Sequence, residues 1–155
     1  MRPDLPTRLP KHPLNTPLLE YLRAQGAPPG GPGDYTLGEW QLHAHPDLLD
    51  RLKELALGVP LNAAYGIPLL AHKGVAAVAA QGTGTLLMRL PEPPADLREG
   101  RWPVPELTGH GWWAVDAWQS DLLTVEGDHR LLMAIEQALS HARDLMSQPG
   151  VRHFQ

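Results

Sequence analysis

The chain has 155 residues, 13 Lys and Arg against 17 Asp and Glu, a formal charge of −4 and no cysteine. That length suits one domain, able to bury about two thirds of the surface its unfolded form exposes, while the missing cysteines exclude disulfides, thiolate metal sites and thiol catalysis. The acidic balance argues against a broad nucleic-acid footprint, which depends on neutralising many phosphates, and the lack of an apolar run of about 18 residues or of a secretory leader predicts a cytoplasmic protein without membrane contact.

Residues 1–15 carry Pro3, Pro6, Pro10 and Pro13 and should run as an extended arm. A short helix follows, with Thr16 as cap, Pro17 at the first helical position, Leu18, Leu19 and Leu22 as its apolar face and Gly26 as its stop. The arm has little of its own to pack on, so it is expected to dock on the sheet or on a second copy in a homodimer. "APPGGPG" at 27–33 reads as a linker, which divides the chain into a proline-rich arm, 1–34, and an α+β domain, 35–155. "YTLGEWQLH" at 35–43 reads as one strand. Pro46 then opens a helix that Gly58 closes. Leu48, Leu49, Leu52, Leu55 and Ala56 share one face of it, with Asp47 and Arg51 as an i, i+4 pair on the solvated side.

"IPLLA", "VAAVAA" and "TLLMRL" are three strands of a meander, joined by turns at "HKG" and "QGTG". Side chains as small as Ala76, Ala77, Ala79 and Ala80 let an amphipathic helix approach the middle strand closely. A short helix or turn at 93–100 and a loop at 101–110 lead to a further strand at 111–118. A long helix from Asp128 to about Ser147 closes the chain, with its stripe at Leu132, Ile135, Leu139, Ala142 and Met146. The predicted fold class is therefore α+β, a two-layer arrangement of an antiparallel sheet with amphipathic helices packed on it.

Residues 46–147, read as helix, meander, short helix, strand and amphipathic helix, resemble the MmcQ/YjbR and TfoX N-terminal-like superfamily. The residues that carry the resemblance are Tyr65-Gly66 before the meander, the His72-Lys73-Gly74 turn, "LLMRLP" at 86–91 and "GWWAVDAW" at 111–118. The resemblance implies a regulatory or nucleic-acid-associated role and supplies no catalytic residues.

Three constellations can be weighed as chemistry. His43 and His45 project from one face of a strand end, where a nearby carboxylate could complete a zinc site. A polar residue is also ordinary before a helix opened by proline. "GTGT" at 82–85 precedes a strand rather than a helix N-terminus, so it reads as a hairpin turn and not a phosphate loop. Ser140 and His141 are adjacent on a helix and diverge, and the chain has no Gly-x-Ser-x-Gly elbow.

The aromatic cluster is the better lead. Four of the five tryptophans, Trp102, Trp112, Trp113 and Trp118, fall between 102 and 118. Period-two alternation turns Trp113, Val115 and Ala117 inward and leaves Trp112, Asp116 and Trp118 on an open face. Either those rings cover the sheet beneath the arm or at a dimer contact, or they wall a ligand pocket anchored by Asp116. Arg89 is the residue placed to pair with Asp116 if their strands are neighbours. The first functional expectation is a non-enzymatic small-ligand or protein-binding regulatory module at Trp112, Asp116, Trp118 and Arg89, without a cofactor. The alternatives are a metal-dependent hydrolase at His43 and His45 and a nucleic-acid-associated protein.

Overall fold

A sheet whose middle strand is built of alanine and valine can be covered closely on both sides, and the chain uses this. The computed structural model describes residues 7–10, 12–24, 35–37, 40–42, 44, 46–56, 58–82, 84–92, 101–104, 107, 111–117 and 125–147. Its elements are β1 (Thr7–Arg8), a 3-10 turn (Pro13–Asn15), α1 (Thr16–Ala24), β2 (Tyr35–Leu37), β3 (Trp40–Leu42), α2 (Pro46–Leu55), β4 (Leu61–Ala64), β5 (Ile67–His72), β6 (Val75–Gln81), β7 (Thr85–Arg89), β8 (Arg101–Pro103), β9 (Trp112–Asp116) and α3 (Val125–Met146). The fold is α+β, as the order of elements predicts.

The main sheet has seven strands in the order β1-β4-β5-β6-β7-β9-β8, so β6 is its centre. Every pairing is antiparallel except that of β1 with β4. The meander β5-β6-β7 is the one the sequence predicts, extended on one side by the β4-β5 hairpin and on the other by β9. Both tight hairpins place two residues in the left-handed region, Tyr65 and Gly66 at φ 52° and 77°, Lys73 and Gly74 at 47° and 84°. That pattern matches the twist of the flanking strands and favours glycine at the second position. At Gly74 the lack of a side chain serves a second purpose, because a Cβ there would meet Cγ of Pro10 at 2.8 Å.

Two apolar clusters lie on opposite faces of the sheet. On one face Leu70, Ala77, Val78, Ala80, Leu86, Met88 and Val115 pack against α2 and α3. On the other Ile67, Leu69, Ala76, Ala79, Leu87, Trp112 and Ala114 pack with Leu18 and Leu22 of α1 and with Leu9 of the arm. A β-bulge explains why neighbouring residues Ala77 and Val78 both reach the α3 face: Leu70 pairs with Val78 but Ala71 with Ala76, so Ala77 is the extra residue. Ala134, Ala138 and Ala142 of α3 join Ala77 and Ala80 in that core, small residue against small residue, which brings the helix close to β6. The buried side of α3 accordingly runs through Leu131, Ile135, Ala138 and Ala142, while Leu132, Leu139 and Met146 are only half-buried.

Several boundaries differ from the sequence expectation. Residues 35–42 form two short strands paired with each other, Leu37 opposite Trp40, in place of one strand. Arg51 is buried and donates its Nε–H to the carbonyl of Ala117 at 3.3 Å, so it does not lie on the solvated side of α2. β8 occupies what reads as a loop, and α3 begins at Val125. The linker at 27–33 lies outside the described residues. Among the described residues, no helix is long and apolar enough to cross a membrane.

Ala77 and Ala79 face opposite covers and neither is exposed. Ala77→Leu and Ala79→Leu should each lower the unfolding free energy by about 1–3 kcal/mol through overpacking, measured by urea denaturation. An unchanged midpoint in both would contradict a sheet covered closely on two sides.

Candidate functional site

Chemistry-bearing residues gather where β7 ends, the β5-β6 turn closes and the arm crosses the sheet. The strap from Leu9 to Asn15 begins with the Leu9 amide on the carbonyl of Ala63 at 2.8 Å. It ends in the 3-10 turn, whose first amide groups need acceptors. His12 supplies one, its Nδ1 accepting the Leu14 N–H at 3.1 Å, which requires that nitrogen to be unprotonated. Asn15 is fully buried. Its Nδ2 donates to the carbonyls of Pro10 at 2.9 Å and Gly74 at 2.7 Å, and its Oδ1 accepts the Ala76 N–H at 2.8 Å.

Arg89 is the last residue of β7 and only 6% exposed. Its guanidinium donates to the carbonyl of Leu14 at 2.7 Å and stands 5.8 Å from the ring centroid of Trp112, its directly paired neighbour on β9. No carboxylate pairs with it among the described residues. Burial pushes its pKa down, yet a guanidinium stays charged in proteins. The charge acts on two histidines. His12 and His141 are both held below the ordinary 6.5, by burial first and by Arg89 second, with Asp144 partly opposing the shift at His141.

On the α3 side of the same sheet end lies a half-open cleft of about 330 Å³. Its walls are Leu90, Pro91 and Glu92 after β7 and Gln137, Ser140, His141 and Asp144 on α3. Those four helix residues recur at i, i+3, i+4 and i+7, the spacing of a single face. Ser140 accepts a hydrogen bond from Arg143 at 3.2 Å and has no bond to His141, so no nucleophile and base are assembled. The half-buried imidazole of His141 makes no hydrogen bond among the described residues and faces the cleft as a neutral donor and acceptor.

The aromatic site foreseen on β9 is divided by register. The inward set is as expected, with Val115 and Ala117 buried and Trp113 half-buried in the α3-side core. The opposite face is not open, because α1 and the strap cover it and leave Trp112 only 3% exposed. β7 and β9 are neighbours as supposed, but Arg89 pairs with Trp112 and Asp116 with Thr85, four residues apart. At about 3.4 Å per residue that separation is about 14 Å, beyond the reach of a direct Arg89–Asp116 pair. Asp116 sits half-buried in a cross-strand row with Thr85 and Gln81, and Gln81 accepts a hydrogen bond from Tyr21 of α1 at 3.4 Å. Trp118, His43 and His45 lie outside the described residues. Ala44, between the two histidines, bridges to Gly82 at the β6-β7 turn. Among the described residues no group of three His, Asp or Glu can hold a metal ion.

The lowered histidines give stability a pH dependence of definite sign. As pH falls below 6.5 the unfolded chain takes up protons that folded His12 and His141 refuse, so stability is complete above that value and declines as pH drops toward the folded pKa values. Urea midpoints should fall between pH 7 and 5, and His12→Asn, which keeps a cap acceptor that does not titrate, should flatten part of the fall. Comparison of the chain with protein-family models, with curated proteins and with solved structures gives no match in any of the three.

Proposed function

We propose that the chain is a non-enzymatic binding module for a small organic molecule, which lies in the cleft between the end of β7 and the C-terminal half of α3. The observation that carries this reading is the half-buried, neutral His141 facing a space of about 330 Å³, within the size range of small-molecule sites. Leu90 and Pro91 offer an apolar wall. Gln137 and His141 offer donors and acceptors, and Glu92 and Asp144 place acceptors at the rim. The complementary ligand has an apolar body with hydrogen-bond donors, or a cationic group, at the edge that meets the two carboxylates. A binding role fits better than catalysis, because Ser140 and His141 do not form a nucleophile–base pair.

Thermal-shift screening of fragment-sized amines and heterocycles tests the proposal. A ligand at 100 times its Kd adds about 2.7 kcal/mol to stability. It should shift the amide resonances of Leu90, Gln137 and His141 and lose at least tenfold in affinity on His141→Ala. Stabilising compounds that shift resonances elsewhere and bind His141→Ala unchanged would move the site away from this cleft.

A further inference from the structure

Among the described residues, two buried hydrogen-bond donors on directly paired residues have no acceptor: Nε of Arg89 and Nε1 of Trp112. Both side chains are more than nine-tenths buried, at 6% and 3% exposure. Unpaired buried donors are rare and costly, and a buried cation without a counter-charge costs more still. The chain has 17 carboxylate side chains from which a partner could have been drawn. Among the described residues none pairs with Arg89, and the acceptor it does have there is the neutral carbonyl of Leu14 on the strap.

We infer that Arg89 and Trp112 form a receptor for one small oxyanion, a carboxylate or phosphate group, which the strap closes over. A guanidinium and an indole N–H are both pure donors, so an acceptor-only ligand group meets both needs together. The negative charge compensates the one that β7 buries. The Leu14 carbonyl holds the guanidinium from the arm side. His12 and His141, within the field of Arg89, add no competing negative charge. The site lies on the α1 face of β7, opposite the cleft on the α3 face, and does not depend on the ligand proposed there.

The test is an NMR titration of the whole chain at pH 7 and constant ionic strength, with sodium formate or inorganic phosphate replacing sodium chloride. The Trp112 indole N–H and Arg89 Nε–H resonances should move and saturate with one of the two anions, with a shift in thermal midpoint to higher temperature. Saturation by formate alone assigns a carboxylate ligand, and saturation by phosphate alone a phosphate group. Arg89→Met, which keeps the apolar stem of the side chain without its charge, should bind the anion at least tenfold more weakly, read from the Trp112 resonance. Resonances that stay fixed, or that follow chloride as they follow the oxyanions, would overturn the inference and leave the two donors to a buried water. Saturation that persists unchanged in Arg89→Met would overturn it as well.

Discussion

One buried amide decides whether the arm and the sheet are a single body. β6 pairs with β7 only from Val78 to Gln81, so beyond the end of β7 the Ala76 N–H has no strand to bond. The Oδ1 of Asn15 takes the place of the missing strand, while its Nδ2 holds Gly74 and Pro10. A backbone donor buried without a partner costs about 1–3 kcal/mol, so the strap is required by the sheet as much as the sheet by the strap. Gly74 completes the arrangement by leaving room for Pro10.

The docked strap fixes the environment of everything else at this end. Its Leu14 carbonyl is the acceptor for Arg89, its Leu9 joins the core under α1, and the helix that follows it delivers Leu18 and Leu22 to the second face of the sheet. Arg89 in turn stacks toward Trp112 on one face of β7, and on the other its charge adds to burial in lowering the pKa of His141 near the cleft. The two faces of β7 therefore carry different chemistry from adjacent residues, Arg89 toward the arm and Leu90 toward α3. Of the aromatic cluster, Trp112 covers the sheet beneath the arm and α1.

The parts of the fold visible in the sequence are those whose pattern is local. α2 and α3 announce themselves by apolar periodicity, the meander by its two Gly turns, and the close approach of α3 by the alanines of β6. β1 and β4 escaped because they are short and take their meaning from each other across a long stretch of chain. The same remoteness hid the cover over Trp112. Alternation along β9 says which residues share a face, and says nothing of whether a helix near the N-terminus returns to bury the second one. The strands of Arg89 and Asp116 are neighbours, the condition on which a pair between them depends, but pairing is fixed by register, which the sequence pattern leaves open and which separates them by four residues. Gln137, Ser140, His141 and Asp144 are legible as a polar stripe on α3, although a polar stripe on an amphipathic helix ordinarily means solvent. Asn15 carries no signal, since the partners that give it meaning, Gly74 and Ala76, lie far along the chain, and His12 is one polar residue beside a proline whose role as a cap appears only once the 3-10 turn is in place.

The dependence of the fold on the Asn15 amide is tested most directly by Asn15→Leu, a side chain of similar shape with none of its hydrogen bonds. The account predicts a loss of about 3 kcal/mol in unfolding free energy by urea denaturation, with faster hydrogen exchange at Ala76 and along α1, because the Ala76 N–H and the Gly74 carbonyl are left buried and unsatisfied. A loss under about 0.5 kcal/mol, the size of an ordinary surface substitution, with α1 still protected, would contradict it.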